Sequence, residues 1–261
     1  MRGPSGVLAV VLAETAAGTA AVLWLAPLWG AVKPGFFILT GAVAFVVAVL
    51  AATSGAAASD PVVSFGLSSL AVPGLAATAV ILGLSLVALV VRFRVAGRVL
   101  GLLAVISSLA ALWALAYLGS SSLPAALFQL LAGALFMGAV TDGLLLGHWY
   151  LTDRRLSREP IQRLSLLLIV AVVLEVVAIA SGGFGRAPEP AAGFSTILSV
   201  AGITSWLALG MAGATALIAV LIRVSLRGTR ARAVQAATGF FYLAVITAFT
   251  AEMAAKIGFL A

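Results

Sequence analysis

Residues 35–56 read GFFILTGAVAFVVAVLAATSGA, a run of 22 residues without a charge. As a helix rising 1.5 Å per residue it would be about 33 Å long, enough to cross the roughly 30 Å hydrocarbon core of a bilayer. The run is apolar on every face rather than along one stripe, so water is not its natural solvent. Lys33 stands just before it, and the same alternation of long apolar run and short polar gap continues in both directions. The pattern predicts about eight spanning helices, over 6–31, 35–56, 68–91, 97–118, 124–151, 161–181, 194–223 and 234–259. Pro124 falls at a helix start, where its missing N–H costs little.

Composition agrees. Of 261 residues, 63% are hydrophobic and 9% charged, too few charges to cover a water-soluble domain of this size. The expected fold is all-α, a polytopic transmembrane helical bundle forming a single integral membrane domain over 1–261. The gaps are at most about a dozen residues, which leaves no room for a soluble domain. The first run is expected to stay in the protein rather than act as a cleaved signal. It is too long, it contains Glu14, and Arg2 is the only charge before it.

Charge placement sets the orientation. Twelve of the fifteen Lys and Arg residues lie in alternate gaps: Lys33; Arg92, Arg94 and Arg98; Arg154, Arg155, Arg158 and Arg163; Arg223, Arg227, Arg230 and Arg232. Arg2, Arg186 and Lys256 make up the rest. Positive charge stays on the cytoplasmic side, so both termini, and the loops at 54–67 and 182–193, are expected outside. The Ala-, Gly- and Arg-rich composition points to a bacterial inner membrane. The net charge of +7 resides in short loops rather than on one helix face or a tail, which argues against nucleic acid as a partner. Trp24, Trp29, Phe36, Phe37, Trp149 and Tyr150 are expected at the inner membrane edge, and Trp113 and Tyr117 at the outer. The two halves of four helices would share one orientation, which permits a parallel repeat.

There is no cysteine, and His148 is the only histidine. Disulfides, Cys-held iron–sulfur clusters, covalent haem and a bis-histidine haem within the chain are thereby excluded. One His and no Cys make a poor ligand set, so no metal site and no intrinsic cofactor are expected. No phosphate-binding glycine loop, nucleophile elbow or HExxH motif occurs.

Four carboxylates interrupt the apolar runs: Glu14, Asp142, Glu175 and Glu252. Each costs about 2.5–3.5 kcal/mol to insert at a helix centre unless it is protonated, paired or wet. Counted from the expected helix ends, Glu14, Glu175 and Glu252 lie at one depth, about 10 Å below the outer edge. A shared polar site follows if helices one, six and eight are neighbours. Lys256 comes four residues after Glu252, the spacing of an in-helix ion pair, from which it can snorkel outward. Glu14 and Glu175 have no partner nearby in sequence. Ala17, Gly18 and Ala21 share a face with Glu14 and should pack against another helix, as should Ala139, Gly143 and Gly147. Asp142 and His148 are six residues apart, about 240° around the helix, so they do not pair within it. His148 lies near the inner interface, where it can bond a loop carbonyl, a lipid phosphate or a quinone. The loop from Asp153 to Pro160, and Arg230, Arg232, Gln235 and Thr238 at the start of the last helix, form basic surfaces suited to anionic lipid.

Gly147-His148-Trp149-Tyr150-Leu151, the stretch from Gln235 through Thr238 and Gly239 to Tyr242, and Ala251-Glu252 resemble parts of uncharacterised bacterial polytopic membrane proteins. With the eight-helix layout they also resemble, more loosely, the NrfD/DmsC-type membrane anchors of molybdopterin oxidoreductases. That resemblance implies a haem-free, quinol-binding subunit working with redox partner subunits. A quinone-interacting anchor is thus one expected function, at an outer site of Glu14, Glu175, Glu252 and Lys256 or an inner one of Asp142 and His148. A proton- or cation-coupled transporter, and a membrane assembly or scaffold protein, are the alternatives.

The cysteine-free chain makes the orientation directly testable. In intact cells, Ser64→Cys should react with a membrane-impermeant maleimide, and Ser157→Cys should react only after the membrane is opened.

Overall fold

The computed structural model describes residues 3–25, 32–59, 69–119, 122–153, 156–181, 200–228 and 232–257. Arg2, Trp29, Arg154, Arg155, Arg186, Arg230, the loop at 182–193 and most of that at 54–67 lie outside them. The described residues form eight helices: α1 (Gly3–Leu25), α2 (Pro34–Ala58), α3 (Ala71–Val90), α4 (Arg94–Gly119), α5 (Leu123–Thr152), α6 (Glu159–Ala180), α7 (Val200–Arg227) and α8 (Arg232–Ala255). All eight are long and apolar enough to cross a membrane, as the sequence predicts. The protein is an integral membrane helical bundle.

The helices pack as two units of four. α1 meets α2 and α4, and the pairs α2–α3 and α3–α4 close the ring; α5, α6, α7 and α8 close a second ring in the same order. One hydroxyl pair recurs in both units. Thr78 on α3 meets Ser107 on α4 at 3.0 Å, and Thr215 on α7 meets Thr247 on α8 at 2.7 Å. Each threonine also bonds its own helix four residues back, to Gly74 and Met211. Corresponding helices of the two units run in the same direction, which supports a parallel repeat.

The units join where α1 lies against α5. A Cβ on Gly18 would stand 1.7 Å from the Ala134 carbonyl oxygen, and one on Gly138 would stand 2.3 Å from the Gly18 carbonyl carbon. The two backbones therefore touch with no side chain between them, the close approach that small residues permit in membranes. Gly143 and Gly147 make comparable room on α5 for Phe241 and Thr238 of α8. As a result α1 is enclosed: 83% of its spanning window is buried, against 28% for α7. Outward-facing Val80, Leu84, Val173, Leu217 and Ile246 are more than half exposed. In water such a surface would aggregate; in a bilayer it is the lipid face.

Polar contacts tie the basic ends of the helices together. Lys33 pairs with Asp153 at 2.8 Å, Arg158 donates to the Gly228 carbonyl, and Arg223 donates to the Gln162 carbonyl at 3.4 Å. Arg92 takes a left-handed φ of 68° between α3 and α4. There the N–H of Phe93 reaches Ala88 and that of Arg92 reaches Leu89, closing the end of α3. A non-glycine residue in this conformation costs about 1–2 kcal/mol.

Of the aromatic residues expected at the inner edge, Trp24, Phe36 and Phe37, at the end of α1 and the start of α2, pack buried between helices. Gly101 makes the space: a Cβ there would lie 2.2 Å from the Trp24 ring. Trp24 packs on Phe37 at 6.0 Å between centroids, Phe37 on Phe36 at 5.6 Å, and Phe36 on Trp149 at 6.5 Å. Tyr150 is buried too, with its hydroxyl donating to the Ser157 carbonyl. Trp113 and Tyr117 stay partly exposed and pack edge-to-face at 4.9 Å.

Overpacking a tight core costs about 1–3 kcal/mol. Gly18→Ala should therefore lower the unfolding temperature in detergent. Gly210→Ala should not, because nothing lies within 4 Å of the added methyl, and removing a helical glycine gains roughly 0.5–1 kcal/mol.

Candidate functional site

The α1–α5 contact decides where Glu14 goes. Glu14 lies one turn before Gly18, and its carboxylate rests on Gly133 of α5, where a Cβ would be 2.7 Å from its Oε1. Glu252 of α8 reaches the same point, with its Oε1 at 2.9 Å from that Cβ position. Gly133 is thus the floor of the site, and any side chain there would displace both acids.

Lys256, just beyond the end of α8, binds the two together. Its Nζ is 3.0 Å from Glu14 Oε1 and 3.2 Å from Glu252 Oε2. Glu175 of α6 interacts electrostatically with Glu252, Lys256 and Glu14. All four side chains are 0% exposed. Among the described residues, three acids and one ammonium, drawn from α1, α6 and the end of α8, therefore share one buried site against α5.

Helix dipoles favour an ammonium here. Glu175 and Glu252 lie near the C-terminal, negative ends of α6 and α8, where a carboxylate is disfavoured and a cation favoured. Lys256 stands where both its helix and its neighbours want positive charge. Its i,i+4 pairing with Glu252 follows the sequence expectation. The outward snorkel does not: Lys256 is fully buried and also partners Glu14, which the sequence leaves unpaired. The three acids meet, though they do not lie equally far from their helix ends: Glu175 is five residues before the end of α6 and Glu252 three before the end of α8. Glu14 is deeper in its own helix than expected, because α1 begins at Gly3 and puts it roughly 16 Å from the helix start.

Asp142 and His148 are not brought together. Asp142 is 0% exposed, and neither of its oxygens has a hydrogen-bond partner. It continues the four-residue stripe Ala134–Gly138 that faces α1. His148 is exposed one turn before the end of α5, and its Nδ1 lies 3.0 Å from the Tyr242 hydroxyl of α8. That hydroxyl is the partner, rather than a loop carbonyl.

Other polar groups escaped the sequence reading. Gln129 is 3% exposed, one turn outward from Gly133, and its amide oxygen has no hydrogen-bond partner. Thr19 and Thr40 are buried with unbonded hydroxyl oxygens. Gln129 could have been found as the single amide inside an otherwise apolar run. Gly133 could not, since nothing in sequence separates it from the other packing glycines. Among the described residues no group of three or more His, Cys, Asp or Glu side chains is arranged to hold a metal ion. At the acid cluster, the Lys256 ammonium takes the place a cation would occupy.

Removing one partner from a buried ion pair costs about 3–5 kcal/mol because the other charge is stranded. Lys256→Met should therefore destabilise the protein strongly in thermal unfolding, and adding Glu14→Gln should recover part of the loss. Independent additive losses would show that the pair is not coupled.

No protein-family model, curated protein or solved structure matches the chain.

Proposed function

We propose that the protein is a proton-coupled membrane transporter whose buried cluster of Glu14, Glu175, Glu252 and Lys256 binds and releases protons. The carrying observation is the imbalance, among the described residues, of three fully buried carboxyls against one ammonium. A cluster that only pairs helices needs one acid for one base, and each surplus acid costs about 2.5–3.5 kcal/mol on insertion scales. The cluster's formal charge runs from +1 to −2 as protons leave. Its neutral form has the ammonium, one carboxylate and two protonated carboxyls. Such a site changes charge by proton exchange without moving any helix end.

Asp142 extends this reading inward. It lies nine residues beyond Gly133 on α5, about 13 Å along the axis. Gln129 stands one turn outward of Gly133. Buried polar groups without hydrogen-bond partners thus follow α5 across much of the bilayer, and such groups are commonly satisfied by water.

The exposed pair of His148 and Tyr242 favours a second reading. An imidazole and a phenol can bond a quinone oxygen, as the expected quinol-binding anchor would require. Oxidation of a quinol there would release its two protons to the water at that end of the bundle, and a redox partner subunit would take its two electrons.

Purified protein in liposomes with a trapped pH dye should acidify the lumen under an imposed membrane potential, lumen negative. Glu175→Gln should slow this at least tenfold while the protein stays folded. Wild-type flux no greater than in empty liposomes, together with a stoichiometric quinone in the organic extract, would replace transport with the anchor reading.

A further inference from the structure

We propose that Asp142 is a proton-relay group, carrying protons between the buried acid cluster and the basic end of the bundle with the hydroxyls of Thr19 and Thr40 beside it. This role rests on the transport reading and supplies its inner half.

The acid cluster lies far from the water at the basic ends of the helices. From Gly133, where Glu14 and Glu252 meet α5, to Thr152 at the end of α5 is nineteen residues, or about 28 Å of helix. A bare charge crosses that distance inside a packed bundle only at great cost. Asp142 divides the distance almost evenly, nine residues from Gly133 and ten from Thr152. The two steps are about 13 Å and 15 Å. No other carboxylate stands between Gly133 and the end of α5 on that helix.

Asp142 ties nothing together. It is fully buried, and among the described residues it forms neither a hydrogen bond nor an ion pair. A buried acid that joins no helices and caps no helix end brings the fold only the cost of its burial.

Two hydroxyls in the same condition lie near its depth. Thr15, Thr78, Thr215 and Thr238 are buried in helices, and each donates its hydroxyl to the carbonyl four residues back. Thr19 and Thr40 are buried as deeply, yet their hydroxyl oxygens have no hydrogen-bond partner. Thr19 follows Gly18, which touches Gly138, one turn of α5 before Asp142. It therefore stands on the cluster side. Thr40 lies five residues past Gly35, and Gly35 meets Trp149, seven residues beyond Asp142. Because α2 runs back along α5, Thr40 comes within about 3 Å of the depth of Asp142. A hydroxyl donates and accepts at once, so it can pass a proton on without holding charge. A carboxylate oxygen is where the proton can rest. In the step proposed, a cluster carboxyl gives up its proton, hydroxyl or water O–H groups hand it along, and a carboxylate oxygen of Asp142 binds it. Release to water at the basic end restores the carboxylate.

The test uses full-length protein in liposomes with a trapped pH dye. Asp142→Asn keeps the size and loses the titrating oxygen, and should slow potential-driven proton flux by roughly tenfold or more. Asp142→Glu should restore part of that flux. Asp142→Ala should also lose it, while the unfolding temperature in detergent holds or rises, because a buried polar group without a partner has been removed. Thr19→Val should slow flux and Thr19→Ser should not. Glu159→Gln, at an exposed acid at the start of α6, should match the wild type. Wild-type flux in Asp142→Asn would overturn the relay. So would a fall in unfolding temperature in Asp142→Ala, which would mark Asp142 as a packing group. Wild-type protein that passes no more protons than empty liposomes would sink the transport reading and the relay with it, whereas the other two outcomes sink the relay alone.

Discussion

The backbone of α1 rests directly on the backbone of α5 at Gly18, Ala134 and Gly138, and the remaining architecture hangs on that contact. In lipid the hydrophobic effect does not press helices together, so dispersion between close backbones and hydrogen bonds between helices must do so. The contact fastens one four-helix unit to the other. It also encloses α1, the helix with an acid near its midpoint. One turn from Gly18 the same approach delivers Glu14 to Gly133, so the joint between the units and the floor of the site belong to one interface.

The acid cluster reads differently from an ordinary structural ion pair. A buried pair is weak evidence for stability, because desolvation of both charges offsets their attraction. Here the cost is greater: two of the three acids lie toward the negative ends of their helices, and among the described residues it is Lys256 that offers a compensating charge. A fold kept for stability alone would be better served by apolar residues of similar size. Retaining the surplus carboxyls makes physical sense where protons come and go, since each proton shifts the local charge by one unit in a medium that screens poorly.

The two units share a frame but not a chemistry. Hydroxyl pairs at Thr78 and Thr215 occupy corresponding places. The acids do not follow the repeat: Glu175, Glu252 and Lys256 belong to the second unit, and the first contributes only Glu14. Repetition of helix packing therefore supplies a rigid double frame, and the site arises where one frame inserts a single helix against the other.

Much was legible in the sequence because a bilayer is a demanding solvent. Runs such as 35–56 must satisfy their own backbone polar groups, so helical structure and span length follow from composition alone. The i,i+4 spacing of Glu252 and Lys256 and the small-residue face beside Glu14 follow from helix geometry. Which helices are neighbours did not follow, since apolar helices in lipid carry little sequence information about their partners. Only the tertiary structure placed Glu14 against Lys256, chose Gly133 from among the glycines, turned Trp24 and Phe36 inward, and separated Asp142 from His148. Those outcomes depend on contacts between helices, some as far apart in sequence as Glu14 and Lys256. Such contacts are settled by how side chains and backbones fit across helices, and local periodicity does not record that fit.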